Sequence, residues 1–187
     1  KTVKFKIKMS DKDDDERLKA KIEGSLRKLR ISYPNLLKDL NDYDFQGVIG
    51  KGGFGEVRLA IDKKTGGKFA VKEIYPHRLQ GNQFRRFIDE VKTKAVMRHQ
   101  FLLEIEGFTA TNPYSIITPY CSNGCLFEYI YGKQKNKLSP TQLTKIVMGI
   151  AHGMAHIHEH KIIHRDLKLP NILLDEDFLP KIADFGV

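Results

Sequence analysis

A glycine-rich segment next to an apolar run constrains the fold of this chain most strongly. Residues 50–57 read G-K-G-G-F-G-E-V, and the preceding run at 45–49 contains Phe, Val and Ile. Glycine lacks a Cβ and lets backbone N–H groups approach phosphate oxygens closely. A dinucleotide-binding loop of the same spacing opens a helix, whereas residues 56–61 continue in a strand pattern. The segment therefore predicts the tip of a β-hairpin that folds over a nucleotide.

Other periodic segments predict a two-part α+β chain. The predicted strands cover residues 45–49, 57–61, 69–74, 103–108 and 115–118. Gly66 and Gly67 join the second and third strands, and apolar residues between Phe84 and Ala95 recur at helical spacing. These signals predict three successive antiparallel strands, one helix and two further strands.

The second part begins after Cys121 and has a helical pattern. Ser139, Pro140 and Gln142 form a helix start, with Ser as the cap and Gln three residues later. The predicted buried face of this helix consists of Leu143, Ile146, Val147, Ile150, Met154 and Ile157. Residues from 162 onward offer short β-like pieces separated by turns.

Residues 1–43 are interpreted as an N-terminal extension of unknown role. Alternating lysines and apolar residues at 3–9 predict a strand. An acidic run from Asp11 then predicts a helix start. The apolar stripe of that helix consists of Leu18, Ile22, Leu26 and Leu29.

Charge and composition limit the classes of partner. The 187 residues carry a net charge of +9, with much of the excess in the first thirty residues. A basic adaptor for nucleic acid or a membrane surface stays an open hypothesis. Phe5 is the one aromatic residue among these charges, so no specific nucleic-acid partner is expected. No apolar run is long enough for a transmembrane segment, and Cys121 and Cys125 are too few for a disulfide framework. A cytoplasmic location is predicted, with the nucleus possible.

Three further motifs follow the glycine-rich segment in order. Residues 70–72 read A-V-K on the third predicted strand, residues 164–171 read H-R-D-L-K-L-P-N, and residues 184–186 read D-F-G. With the glycine-rich segment, they make residues 44–187 resemble a eukaryotic-type protein kinase domain. The resemblance implies a bilobal fold, with a five-stranded antiparallel N-lobe at 44–118 and a hinge and partial, mostly helical C-lobe at 119–187.

The resemblance also implies ATP and Mg²⁺ as cofactors and a protein with a hydroxyl acceptor as substrate. Asp166 would accept the hydroxyl proton, Lys168 would lie beside the γ-phosphate, and Glu90 would hold Lys72 at the α/β-phosphates. Asn171 and Asp184 would bind the metal. The implied nucleotide contacts are Gly50, Gly52, Gly55, Val57, Ala70, Lys72, Thr118, Pro119, Cys121 and Leu173.

Lys168, two residues after Asp166, resembles the serine/threonine kinases, and the segments at 121–126 and 168–171 resemble the tyrosine-kinase-like group among them. The chain ends one residue after D-F-G. This stretch expressed alone is therefore expected to aggregate or to have a loose second lobe, without kinase activity.

One residue departs from the family pattern. Lys94 stands four residues after Glu90, where the family usually carries Leu or Met near the D-F-G phenylalanine. Three explanations stay open: an offset helix, a side chain that reaches out to water, or an alignment in which Ala95 fills the gap. This departure keeps a nucleotide-binding pseudokinase or scaffold as the alternative to a catalytic kinase.

Overall fold

The computed structural model of the chain describes residues 11–52, 55–74, 82–132 and 138–185. Within these residues it contains four α-helices and seven strands. The helices are α1 (Asp11–Ser32), α2 (Asn82–Val96), α3 (Leu126–Tyr131) and α4 (Pro140–Glu159). The strands are β1 (Tyr43–Lys51), β2 (Gly55–Asp62), β3 (Lys68–Ile74), β4 (Gly107–Phe108), β5 (Ser115–Pro119), β6 (Ile172–Leu174) and β7 (Pro180–Ile182). The strand predicted at 3–9 lies outside the described residues.

The N-lobe is built on one antiparallel sheet of five strands in the order β1-β2-β3-β5-β4. This order confirms the predicted five-stranded sheet, and α2 is the predicted helix in the described part of residues 44–118. The strand predicted at 103–108 is wrong for residues 103–106, because only Gly107 and Phe108 pair with β5. The Leu103 N–H instead donates to the Ile182 carbonyl of β7 at 2.8 Å, whereas Ile105 is buried in the N-lobe core and the Glu106 N–H donates to the Ile117 carbonyl of β5 at 2.9 Å. The segment therefore changes from C-lobe to N-lobe partners along its length.

Helix α1 packs into the core of the N-lobe. Leu26 and Leu29 of its predicted stripe are fully buried with Phe87 of α2 and Phe108 of β4, and Ile22 packs against the same cluster. The Arg30 guanidinium donates to the Ala110 carbonyl at 2.7 Å and ties the end of α1 to the β4–β5 turn. The domain boundary at residue 43 stays a prediction, but Leu26 and Leu29 before it are part of the N-lobe core.

Replacing Leu29 by Ala is expected to lower the free energy of unfolding by about 2–5 kcal/mol, because the side chain is 0% exposed. Urea denaturation measures the change. Ile31→Ala on the same helix is the matched control, since Ile31 is 71% exposed and should change stability little. Equal effects of the two substitutions would show that α1 is not part of the folded lobe.

Helix α4 begins at the predicted capping box. Gln142 N–H donates to Ser139 Oγ at 3.2 Å, and Ser139 N–H donates to Gln142 Oε1 at 2.9 Å. Its predicted buried face is correct for Ile146 and Ile157, which are fully buried.

The predicted face of α4 is wrong for Leu143 and Val147, which are exposed. Two glycines explain why a different side of α4 faces the core. A Cβ on Gly149 would lie 2.5 Å from Pro180 Cγ, and one on Gly153 would lie 2.7 Å from Ile182 Cδ1. The glycine side of α4 therefore packs closely against β7 and places that strand, which leads into Asp184, next to the helix.

Candidate active site

Lys72 and Glu90 form the ion pair that links the sheet to α2. Strand alternation places Val71 in the core, where it is fully buried, and turns Lys72 to the opposite face. The Lys72 Nζ lies 3.0 Å from Glu90 Oε2 and 3.2 Å from Oε1. Glu90 is 7% exposed, so this carboxylate depends on the lysine for its charge partner. The predicted pair is thus present in the structure.

Asp184 brings a second carboxylate to the same ammonium. Its Oδ1 lies 4.0 Å from Lys72 Nζ. Burial acts to lower the pKa of Lys72, but Glu90 and Asp184 together outweigh it and raise that pKa. The backbone of Asp184 is in the left-handed region with φ 54°, which turns the chain at the start of D-F-G. Lys72 is therefore charged at neutral pH and lies between two acidic groups.

A second cluster forms around Asp166 in the H-R-D loop. Lys168 Nζ lies 2.7 Å from Asp166 Oδ2, and the Asn171 side-chain amide donates to the same oxygen at 3.1 Å. It also donates to the Asp166 carbonyl at 2.8 Å. The hydrogen bond from Lys168, with a further contribution from Asn171, holds the pKa of Asp166 below its ordinary value. Asp166 is therefore ionised at neutral pH and can accept a proton or a hydrogen bond.

Backbone contacts hold the H-R-D loop next to the D-F-G segment. The Ala183 N–H donates to the Asn171 carbonyl at 2.8 Å, so the residue before Asp184 is tied to the loop. His164 is buried, and its Nδ1 accepts the Asp166 N–H at 3.3 Å. Sequence reasoning assigned Asn171 only to the metal and missed its support of Asp166, for which the sequence carries no signal.

The residues predicted to contact the nucleotide base come from both lobes. Ala70 pairs with Thr118 across β3 and β5, and Thr118 Oγ1 donates to the Ala70 carbonyl at 3.5 Å. Val57 pairs with Lys72 across β2 and β3. From the C-lobe, Leu173 packs against the buried Cys121.

Two residues of the predicted hinge differ in exposure. Pro119 ends β5 and is exposed, whereas Cys121 is buried. Burial raises the pKa of the Cys121 thiol to about 11, so this thiol is neutral at physiological pH. The predicted hinge is held to β3 by Tyr120, whose N–H donates to the Lys68 carbonyl at 3.1 Å.

The three glycines of the predicted phosphate loop have different surroundings in the structure. The Gly52 N–H donates to the Gly55 carbonyl at 2.9 Å and so joins the two arms of the hairpin near its tip. Residues 53–54 at the tip lie outside the described residues. A Cβ on Gly55 would collide with the Glu73 carbonyl of β3, while one on Gly50 would make ordinary contact with Val57. Gly55 is therefore required by strand packing as well as by any close approach to phosphate.

Lys94 is buried, so the explanation in which its side chain reaches out to water is wrong. It is 2% exposed, its Nζ donates to the Leu103 carbonyl at 3.4 Å, and it lies 4.9 Å from the centroid of the Phe185 ring. The Lys72–Glu90 pair also excludes an offset of α2. Burial lowers the pKa of Lys94, while Glu90 and Asp184 act in the opposite direction. A lysine amine therefore occupies the place usual for an apolar side chain.

The comparison with known families agrees with this arrangement. Residues 43–187 match the family described as the protein kinase domain. The chain belongs to the protein kinase family. This kinase chain is 35% identical to the "Probable LRR receptor-like serine/threonine-protein kinase RKF3" of Arabidopsis thaliana, over 85% of the chain and 27% of that protein.

Two further Arabidopsis relatives are similar. The kinase chain is 33% identical to the lectin-domain containing receptor kinase VI.4, over 84% of the chain and 24% of that protein. It is 34% identical to the receptor-like protein kinase ANXUR1, over 84% of the chain and 19% of that protein. The chain thus spans about a quarter of the length of these curated relatives or less. Among the described residues, no helix has the length and apolarity required to cross a membrane.

Proposed function

We propose that this chain is the ATP-binding and catalytic-loop portion of a protein kinase that transfers the γ-phosphate of MgATP to Ser or Thr hydroxyls of a protein. The observation that carries the proposal is the position of Lys72, which lies 3.0 Å from Glu90 and 4.0 Å from Asp184. Phosphoryl transfer requires mainly positioning and neutralisation of phosphate charge. The Lys72 ammonium, which Glu90 holds beside the Asp184 carboxylate, meets that requirement.

Asp166 is the proposed acceptor of the substrate proton. Its Oδ2 is occupied by Lys168 and Asn171, and these contacts orient the carboxylate. The lowered pKa keeps the group ionised, so it can accept a hydrogen bond from a Ser or Thr hydroxyl and receive its proton. Lys168 places a second positive charge beside Asp166, where it would stabilise negative charge on a transferring phosphoryl group.

The donor atoms of Asn171 and Asp184 fit Mg²⁺. The amide nitrogen of Asn171 donates to Asp166, which leaves its carbonyl oxygen as the group for a cation. Asp184 offers a half-exposed carboxylate, and Mg²⁺ prefers hard oxygen ligands of this kind. When bound, the metal and ATP would supply the charge-neutralised phosphoryl group that is transferred. We propose Asn171 and Asp184 as its protein ligands.

The proposed acceptor residue is Ser or Thr. Lys168 resembles the serine/threonine kinases, and one of the similar proteins is named as a serine/threonine kinase. The relatives are also named as receptor kinases, so this chain is proposed as a catalytic portion that works in the cytoplasm.

The proposal is tested by incubating the protein, at its full natural length, with Mg²⁺, γ-labelled ATP and peptides that contain Ser, Thr or Tyr. Label on phosphoserine or phosphothreonine is the expected result, and label confined to phosphotyrosine contradicts the acceptor assignment. In parallel, ATP at 100 times its Kd should stabilise the folded protein by about 2.7 kcal/mol. Binding without transfer would favour the pseudokinase or scaffold alternative, which the buried Lys94 keeps open.

A further inference from the structure

Helix α2, which carries Glu90, rests on a helix outside the matched kinase domain. That domain begins at residue 43, whereas α1 ends before it. Within the described residues, α2 packs more extensively against α1 than against any strand. Phe87 of α2 is 1% exposed and is buried in one cluster with Leu26 and Leu29 of α1. The extension therefore supplies a large part of the surface on which α2 lies.

The C-terminal end of α1 is attached to the edge of the sheet. The Arg30 guanidinium donates to the Ala110 carbonyl, just after β4, at 2.7 Å. Beyond the helix, the Lys38 N–H donates to the Phe108 carbonyl of β4 at 3.1 Å, and Lys38 Nζ lies 3.3 Å from Glu106 Oε1. The extension thus bridges α2 to the β4 edge of the sheet.

The position of α2 decides whether the Lys72–Glu90 pair forms. Phe87, Ile88 and Val91 of α2 are all buried in the cluster that includes α1. Glu90 lies within this stretch of the helix, so a shift or rotation of the buried stripe moves its carboxylate. Glu90 Oε2 lies 3.0 Å from Lys72 Nζ, and a displacement of about 1 Å would take this distance beyond hydrogen bonding.

We propose that α1 is a positioning element for the active site, in which Leu26 and Leu29 hold α2 where Glu90 reaches Lys72. Without α1, the buried face of α2 would lose its apolar cover on that side, and burial of this face would no longer stabilise the position of the helix. The effect on phosphate transfer rests on the proposed function. The holding of α2 rests on the buried cluster and on the attachments of Arg30 and Lys38.

Hydrogen exchange in the protein at its full natural length tests whether α1 holds α2. Leu29→Ala removes a fully buried side chain of α1. Ile22→Ala removes a partly buried one from the same cluster and is the milder variant, which decides the test if Leu29→Ala does not fold. In both variants, we expect amides at 85–96 to exchange about tenfold faster or more, while amides at 172–182 stay slow.

Two further variants separate this role from a general loss of stability. Leu29→Met nearly conserves the side-chain volume and should restore slow exchange in α2. Ile146→Ala removes a fully buried side chain of α4 in the C-lobe, so it should lower stability without loosening α2. The proposal is wrong if the α1 variants leave α2 exchange unchanged, if they speed exchange equally along the whole chain, or if Ile146→Ala loosens α2 as much.

A double-mutant cycle on phosphate transfer tests whether α1 acts through Glu90. Leu29→Ala, or Ile22→Ala in its place, should slow single-turnover transfer about fivefold or more, because Glu90 is displaced from Lys72. In a Glu90→Gln background the same substitution should have little further effect, since the pair it supports is already lost.

Ile146→Ala is the control in this cycle, and its effect on transfer should be the same with Glu90 or Gln at position 90. Effects of the α1 variant and Glu90→Gln that simply multiply would contradict a route through Glu90 and overturn the proposal. If the unaltered protein transfers no phosphate, the proposed function fails, whereas the exchange measurement still decides whether α1 holds α2.

Discussion

Replacing Asp166 by Asn is expected to slow phosphate transfer by about 10²–10⁴-fold, the usual contribution of a positioned general base. The substitution keeps the size of the side chain and removes the carboxylate that would receive the substrate proton. Asp166 is half-exposed and is hydrogen-bonded by Lys168 and Asn171, neither of which is part of a hydrophobic cluster. Folding and MgATP affinity should therefore change little. Single-turnover transfer and calorimetric titration with MgATP measure the two quantities separately.

Asp177→Asn is a matched control for this change of charge, because Asp177 is exposed in the same lobe and lies outside the proposed site. It should retain full transfer activity. An Asp166→Asn protein that transfers phosphate as fast as the unaltered protein would show that Asp166 is not the proton acceptor. Loss of MgATP binding in that variant would instead assign Asp166 to nucleotide binding.

Replacing Lys72 by Met is expected to reduce transfer by about 10²-fold or more, because the positive charge at the proposed phosphate site is lost. The substitution also removes the partner of Glu90, whose side chain is largely buried. An unpartnered buried polar group costs about 1–3 kcal/mol of stability. Transfer rate, MgATP affinity and the urea midpoint should therefore all fall. Lys64→Met, in the exposed β2–β3 turn, is the control for loss of a surface lysine.

A double-mutant cycle with Glu90→Gln identifies the origin of the stability loss. Lys72→Met leaves the buried Glu90 without this partner, and Glu90→Gln leaves Lys72 with only Asp184 at 4.0 Å, whereas the double substitution removes both charges of the pair. The double variant should therefore lose less stability than the sum of the two single variants. Additive stability losses would show that Lys72 and Glu90 do not stabilise each other in the folded protein.

The motifs placed the site because each of them is local in sequence and has one role in the chemistry. In the described structure, Lys72 lies 4.0 Å from Asp184, and the Ala183 N–H donates to the Asn171 carbonyl of the H-R-D loop. The helix start at Ser139 was predictable for the same reason, since a capping box is a contact within four residues. The family and its α+β architecture follow from such local signals.

Other features depend on contacts between residues far apart in the chain, and local patterns do not encode them. Leu103, at the start of the strand predicted at 103–108, donates to the Ile182 carbonyl of β7 instead of extending β4. The face of α4 is set by Gly149 and Gly153, where the absence of a Cβ allows β7 to approach.

Lys94 shows most clearly the difference between what local sequence indicates and what contacts with distant residues decide. Its sequence position marked it as a departure from the family, and solvation alone argued for a side chain that reaches water. In the folded chain, the Leu103 carbonyl and the Phe185 ring lie within its reach and give the amine buried partners. Residue identity and spacing thus established the family and the chemical groups of the site. The environment of each group was set by distant segments of the chain, because burial and partnership arise when those segments pack together.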